Sequence, residues 1–455
     1  MGLLNTIRDW FTPQKPLQKG IYHYRTPAGQ EERFRLHLRV EDDGRGILVI
    51  NAAKVLHLNQ TATEHARLIL QNKSPEEAVR EITRRYRVSK EQARKDYESL
   101  RDTILTMTRT DDVCPITYLD VERIDPFKTP VSAPYRMDLA LTYRCNDDCP
   151  HCYVARDRNF PEMPTEAWKG VIDHLWDIGV PHVTFTGGEA TLRPDLAELI
   201  QYAEDVGLVT GLLTNGRKLA DKAYLQSLLD AGLDHIQITL ESHDEAIHNK
   251  MVGCSGAWAE TVAGIANAVA ADVYVITNTT LTHDNVPTIE DTIDFLAELG
   301  IRTFACNGMI YSGRGKVVGT GFTEAELQDI VLRVKAAAAR NEMRLIWYTP
   351  TQYCELDPIK LELGIKTCTA AEFNMCVEPN GDVIPCQSYY KPLGNILKDD
   401  WDSIWNHETA RCLRDRTWIQ EKCKDCPELD LCGGGCPLYV EEHAYRCLDT
   451  QSNPS

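Results

Sequence analysis

"MDLALTYRCNDDCPHCY", residues 137–153, is the stretch on which the reading of the chain turns. Its first seven residues form a short apolar run of strand character. Directly after it, Cys145, Cys149 and Cys152 follow at a spacing of C-x3-C-x2-C. A closed structural metal site takes four ligands. Three thiolates from one short loop instead hold three irons of a [4Fe-4S] cube and leave the fourth without a protein ligand, which makes the site open and reactive. His151 lies inside the loop, where the flanking cysteines leave it little freedom to join them as a zinc ligand.

The chain has 455 residues, 16 cysteines and a formal net charge of −18. Its opening, "MGLLNTIRDWF", lacks an apolar core of signal-peptide length, and no run approaches the roughly 18 apolar residues of a membrane helix. We therefore expect a cytoplasmic protein without membrane contact, whose clustered thiols bind metal rather than form disulfides. The acidic balance argues against a nucleic-acid partner. The length leaves room for about three domains.

Working outward, short apolar runs alternate with amphipathic helices. The strand candidates are 137–143, 182–186, 209–214 ("VTGLLT"), 235–240, 273–281 and 303–311. Between the first two, Trp168, Val171, Ile172, Leu175 and Trp176 share one helical face. Repeated βα units make a parallel sheet, with the chemistry in the loops after the strand C-termini. Before it, "YHYRT", "RFRLHLRV" and "GILVINAAKVLHL" read as strands, the last as one continuous run. Three helices follow, starting at a threonine cap in "TATEHARLILQ", at Ser74 with Pro75, and at Ser89. This is a winged-helix-like unit, and the proline-containing 112–136 is a linker. After residue 345 cysteine density rises and long periodic helices vanish.

On the cysteine loop, the stretch resembles the radical S-adenosylmethionine enzymes. That resemblance implies an α/β fold with a partial (β/α)6 barrel, and Cys145, Cys149 and Cys152 as ligands of a cluster whose open iron binds S-adenosylmethionine. Tyr153 matches the aromatic position near the adenine. Gly187, Gly188 and Glu189 in "TFTGGEATL" match the GGE motif that meets the methionine amino group; glycines allow close backbone approach and a carboxylate suits an ammonium. Asn215 in "LLTNG" ends the third strand. Thr239 and Glu241 are altered counterparts of the family's residues after the fourth, and Asn278 reaches for the ribose from the fifth.

The C-terminal cysteines have a countable pattern. Cys368 and Cys386 flank Gly381, then Cys423, Cys426, Cys432 and Cys436 run C-x2-C-x5-C-x3-C, and Cys447 follows. This resembles the seven-cysteine SPASM extension with two auxiliary [4Fe-4S] clusters, three clusters in all. The resemblance implies that Cys368, Cys386 and Cys436 bind the first and Cys423, Cys426, Cys432 and Cys447 the second. The fourth ligand of the first is Cys376, with Cys354 or an open iron as alternatives. Cys114, Cys254, Cys306 and Cys412 are left over; Cys306, in the sixth strand, is a candidate hydrogen donor if it faces the barrel interior.

The N-terminal stretch through "LNQTATEHARLIL" and the two following helices resembles the PqqD-like peptide-recognition element, in which a leader peptide adds as a strand to a sheet edge. The expected organisation is a recognition element at 20–110, a radical barrel at 130–345 and a cysteine-rich iron–sulfur domain at 346–450. The expected function is a radical maturase of a ribosomally made precursor peptide, bound through its leader and supplied by an electron donor such as a flavodoxin or ferredoxin. The alternatives are the same chemistry on a tetrapyrrole or folded protein residue, and an iron–sulfur winged-helix sensor that binds DNA.

Overall fold

A computed structural model describes residues 17–27, 34–52, 54–109, 131–271 and 273–443. Among them are two compact units: the residues before 133 together with 176–181, and 133–175 together with those from 182 onward.

In the first unit, β1 (Gly20–Arg25), β2 (Arg35–Val40), β3 (Gly46–Ile50) and β4 (Lys54–Leu58) form an antiparallel sheet in sequence order. The run expected as one strand is thus two. Asn51 and Ala52 both take left-handed backbone conformations, φ 52° each, and reverse the chain. Helix Gln60–Leu70 is capped by Asn59, whose side chain accepts from the Ala62 N–H at 2.9 Å. The cap is therefore not a threonine: Thr61 and Thr63 lie inside the helix. Helix Pro75–Arg85 has the expected Ser74 cap, completed as a capping box by Glu77. Helix Lys90–Arg109 starts after Ser89, whose hydroxyl accepts from Gln92 N–H. Leu38, Val40, Leu48 and Ile50 of the sheet pack with Ala66, Leu70, Ile104 and Met107 of the helices. Most of the expected linker lies outside the described residues.

The second unit is built on one sheet of ten strands, in the order β11-β10-β9-β8-β7-β6-β5-β12-β13-β14. The six expected strands are β5 (Arg136–Thr142), β6 (His182–Gly187), β7 (Val209–Thr214), β8 (His235–Thr239), β9 (Tyr274–Thr280) and β10 (Thr303–Asn307). The sequence reading missed β11 (Arg344–Trp347), which pairs with β10, and β12 (Asn374–Val377), which pairs in parallel with β5. Antiparallel β13 (Asp382–Ile384) and β14 (Gly394–Asn395) extend the sheet from β12.

From β5 to β11 each strand lies beside its predecessor, so right-handed crossovers place their helices on one face only. The register separates the two faces. Leu139, Phe185, Leu212 and Ile236 form one row, all fully buried. The alternate row, Asp138, Thr184, Gly211 and His235, continues to Thr239 and Asn278. The apolar row faces the helices, and the polar row lines the inner face of an incompletely closed barrel.

Small residues set close approaches in this barrel. A Cβ on Gly264, in helix Ala257–Val269, would sit 2.1 Å from the Gly216 carbonyl oxygen, so this glycine lets the helix press on the turn after β7. Gly211 leaves room for the His235 imidazole, which stacks edge-on to His182 at 5.0 Å. Burial, aided by the charge of Arg136, lowers the His235 pKa to about 4. The folded state then keeps the ring neutral, while the unfolded chain takes a proton below its ordinary value near 6.5. Stability from this group is therefore full above pH 6.5 and falls as the pH drops towards 4. We predict a loss of about 2 kcal/mol between pH 7 and pH 5 from this residue. Denaturant titrations at the two pH values check it, and His235→Gln should remove that share; an unchanged slope would contradict it.

Candidate functional site

The cysteine loop leaves β5 and is gripped from four directions. Arg217 Nη1 donates to the Asn146 carbonyl at 2.7 Å and to Asp147 Oδ1 at 2.6 Å, while its Nε donates to Glu260 at 2.6 Å. Asn215 Nδ2 donates to Asn146 Oδ1 at 2.7 Å and Asp147 Oδ2 at 3.0 Å. Arg158 donates to the carbonyls of Cys145 and Asp147. The Arg314 backbone N–H donates to the Cys152 carbonyl at 2.9 Å, and its guanidinium pairs with Asp148 at 2.8 Å. Inside the loop, His151 Nε2 meets Glu241 Oε1 at 3.0 Å. Burial favours the neutral ring, but the Glu241 carboxylate outweighs it and raises the His151 pKa.

All three loop thiols are partly covered. Burial pushes Cys145 up to about 12 and Cys149 well above its ordinary value. Such thiols stay protonated until a metal replaces the proton, so loading the loop releases protons. The donor set suits an iron–sulfur cube, and the inner face of the sheet is polar. Asn278 Oδ1 and Thr184 Oγ1 on that face are buried with no hydrogen-bond partner. Asn278 is held by its amide, which donates to Asn307 Oδ1 at 3.0 Å. Thr239 is its register neighbour on β8.

The two glycines at the end of β6 serve a purpose beyond ligand approach. Cβ atoms on Gly187 and Gly188 would lie 2.1 Å from the Thr142 carbonyl oxygen and 2.5 Å from that of Arg144. Their absence lets the Gly188 and Glu189 N–H groups donate to Thr142 and Arg144 carbonyls at 2.7 and 2.9 Å. Glu189 is buried, and its carboxylate accepts from Thr191 N–H and hydroxyl, the Thr214 hydroxyl and Asn215 N–H. It therefore ties the ends of β6 and β7 together. Tyr153 directs its hydroxyl to Gln387 Oε1 at 3.2 Å, in the C-terminal segment.

That segment gathers its cysteines in two groups. Burial raises the Cys368 thiol, and Cys436 and Cys386 add to it. Burial likewise raises Cys423, with further contributions from Cys432 and Cys426. Cys376 is fully buried on β12, in register with Asp138 on the inner face, and packs with Ala140, Tyr143 and Ile384. Cys447 and Cys114 lie outside the described residues. Among the described residues, no three His, Cys, Asp or Glu side chains converge as ligands of a single metal ion would.

Cys306 requires a correction. It pairs in register with Thr279 and Trp347, in the row that alternates with Asn278 and Asn307. It therefore faces the helices and not the barrel interior, and the hydrogen-donor role expected of it loses its basis. The sequence reading also missed Arg158, Arg217, Arg314 and the His151–Glu241 pair; only Arg217, directly after "LTNG", carried a positional signal.

An open three-thiolate loop at the C-terminal ends of a one-sided parallel sheet defines an iron–sulfur enzyme that binds a small polar ligand beside its cluster. A family model described as the Radical SAM superfamily matches residues 139–296, an iron-sulfur cluster-binding domain model (SPASM) matches 368–427, and coenzyme PQQ synthesis protein D (PqqD) matches 46–104. PqqA peptide cyclase of Bradyrhizobium diazoefficiens is 30% identical over 314 residues, 67% of this chain and 81% of the relative. Streptococcus suis SuiB bound to S-adenosylmethionine has the same fold at a TM-score of 0.66 and 18% identity, over 90% of this chain and 96% of that one. SuiB bound to its precursor peptide SuiA gives 0.66 and 17%, over 91% and 96%. The chain belongs to the Radical SAM superfamily: it is a radical S-adenosylmethionine enzyme with [4Fe-4S] clusters.

The grip on the loop yields a test. Arg217→Ala leaves the nearly buried Asp147 carboxylate without its cation, and removing one partner of such a pair costs about 3 kcal/mol. We predict that the reconstituted variant holds less loop iron, losing up to about four per chain, the content of one cube. Iron analysis and electron paramagnetic resonance check this; wild-type iron and spectra would contradict it.

Proposed function

We propose that this enzyme modifies a ribosomally made precursor peptide, with the leader held by the N-terminal unit and the core presented at the open end of the barrel. The observation that carries the reading is the composition of the chain: a PqqD-like unit precedes an open-cluster barrel and a segment with two groups of thiols. The PqqA peptide cyclase likeness and the SuiB complex with a precursor peptide support it. When bound, the cluster and S-adenosylmethionine supply a 5′-deoxyadenosyl radical that takes a hydrogen atom from the peptide.

The residues take the following parts. Cys145, Cys149 and Cys152 hold the cluster, and Arg158, Arg217, Arg314 and Asn215 keep their loop in place. Tyr153, Gly187, Gly188, Glu189, Asn215, Thr239 and Asn278 line the S-adenosylmethionine site, where the unpartnered Asn278 Oδ1 accepts from a ribose hydroxyl. Glu189 positions the strand ends. Cys368, Cys386 and Cys436, with Cys376 as the fourth, hold the first auxiliary cluster, and Cys423, Cys426, Cys432 and Cys447 the second. The division of labour follows residues 20–110, 130–345 and 346–450. A flavodoxin or ferredoxin in a reducing cytoplasm supplies the electron.

In the N-terminal unit β1 and β4 are the sheet edges. Lys54 of β4 donates to the Met107 carbonyl at 2.7 Å, which sets the β4 edge beside the last helix. An added leader strand there meets main-chain donors on one side and helix side chains on the other. Of the arginines that the DNA-sensor alternative would use, Arg85 is instead paired with the buried Glu64 at 2.8 Å.

The test uses the full reconstituted chain under anaerobic reduction with S-adenosylmethionine and the precursor peptide encoded beside the gene. We expect 5′-deoxyadenosine to rise with the peptide, the peptide to change mass, and kcat/KM to fall at least about tenfold for a leaderless core, the equivalent of about 1.4 kcal/mol. Deoxyadenosine that does not respond to the peptide, with the peptide unchanged in mass, would overturn the reading.

A further inference from the structure

On β8 and β9 exposure alternates with the pleat. Ile236, Ile238, Thr277 and Thr279 face the helices and are fully buried, whereas Gln237, Thr239, Ile276 and Asn278 on the inner face are half-buried. Solvent therefore reaches the concave side of these strands. On β5, β6 and β10 the inner residues Asp138, Thr184 and Ala305 are buried instead. Thr239 and Asn278 are the upper row of this accessible wall. Gln237 and Ile276 pair in register one row below, two residues nearer the strand N-termini, which is about 7 Å deeper.

The lower row has no part in the site described so far, yet its polar groups are arranged. Tyr348, directly after β11, is 41% exposed, and its hydroxyl donates to Gln237 Oε1 at 2.9 Å. With that oxygen engaged, the Gln237 amide is left to donate through Nε2. At the same end Tyr274, 49% exposed, shares a hydrogen bond of 2.9 Å with the Thr303 hydroxyl. Arg344 pairs in register with Thr303 and lies with it on the inner row. It is exposed, and among the described residues no carboxylate pairs with it. Arg136, from β5, is different: its Nε lies 3.0 Å from Asp138 Oδ1, so its charge is answered. Neighbouring groups strip water from the Tyr348 hydroxyl and raise its pKa, and the charges of Arg136 and Arg344 oppose that rise. Both cations therefore act on the place where Tyr348 meets Gln237.

We propose that this lower wall is a subsite for the core of the precursor peptide and that it holds a peptide carboxylate. Arg344 supplies the charge, Gln237 donates through Nε2, and Tyr348 is a positioning residue that fixes the Gln237 amide. An exposed arginine alone gains little from an ion pair; a directed amide donor beside it adds a charge-assisted hydrogen bond and so selects the carboxylate over its neutral amide. In a chain of net charge −18, an unanswered cation at this wall favours an anionic group. The carboxylate belongs to an acidic core residue or to the peptide's C-terminus, which present the same group. Held there, the core lies beneath the row that lines the S-adenosylmethionine site, where its adjoining residues are placed for hydrogen abstraction. The inference rests on the peptide-maturase reading above and deepens it by naming the group that is recognised.

The test uses the full reconstituted chain under anaerobic reduction with S-adenosylmethionine. The precursor peptide is made with each acidic core residue replaced in turn by its amide counterpart, and separately with its C-terminal carboxylate as the carboxamide. The wild-type enzyme should lose at least about tenfold in kcat/KM on one of these peptides, and which one it is identifies the source of the carboxylate. Arg344→Gln should lose a similar factor on the unaltered peptide and nothing further on that amide peptide, because the pair is then already broken. Arg344→Lys keeps the charge and should keep part of the discrimination. Equal turnover of every amide peptide by the wild-type enzyme overturns the inference, and this arm needs no enzyme variant to fold. Full discrimination retained by Arg344→Gln overturns it as well. An unaltered peptide that the wild-type enzyme leaves unmodified overturns the maturase reading itself, and the inference with it.

Discussion

The close approach of two backbones, Gly187–Glu189 against Thr142–Arg144, is the constraint on which the rest of the enzyme depends. Two N–H groups donate across this contact at 2.7 and 2.9 Å, and a side chain at either glycine would collide with a carbonyl oxygen. The contact fixes where the cysteine loop begins. From there Glu189 gathers Thr191, Thr214 and Asn215, and Asn215 reaches back to the loop through Asn146 and Asp147. Three strand ends are thereby locked to one loop, the rigidity that a reactive site requires.

The same strand that feeds the loop also joins the barrel to the cysteine-rich segment. β12 continues the sheet beyond β5, and Glu378, directly after it, is fully buried. Its carboxylate is gripped by the Arg156 guanidinium at 2.7 and 2.9 Å and by the Tyr143 hydroxyl at 3.1 Å. Breaking such a pair leaves a buried charge, so the joint resists opening. Cys386 and its neighbours are thus attached to the sheet that carries Cys145, and Tyr153 meets Gln387 across the joint. Auxiliary thiols and loop thiols belong to one compact unit.

Much of this was legible because the signals were local. β7 has the bounds read from "VTGLLT", and Ser74 and Ser89 cap their helices as their residue types dictate. The β3–β4 reversal was hidden because "INAAK" has neither glycine nor proline, and the fold accepts Asn51 and Ala52 at positive φ. Asn59 and Thr61 are both good caps, and a difference of two residues was beyond composition. β11 and β12 are four residues each, too short for a period to register. The orientation of Cys306 depends on its register against Asn278, a relation between distant strands. The arginine grip is likewise tertiary: Arg158, Arg217 and Arg314 come from three separate loops and meet only in the fold.

The most direct test of the central claim follows the hydrogen atom. The precursor peptide, made with deuterium on its core residues, is turned over anaerobically by the reconstituted chain, and the 5′-deoxyadenosine is analysed by mass spectrometry. A radical peptide maturase predicts deuterium in the deoxyadenosine in step with the mass change of the peptide. Deoxyadenosine free of deuterium, formed from every deuterated core position while the peptide stays intact, would contradict the account.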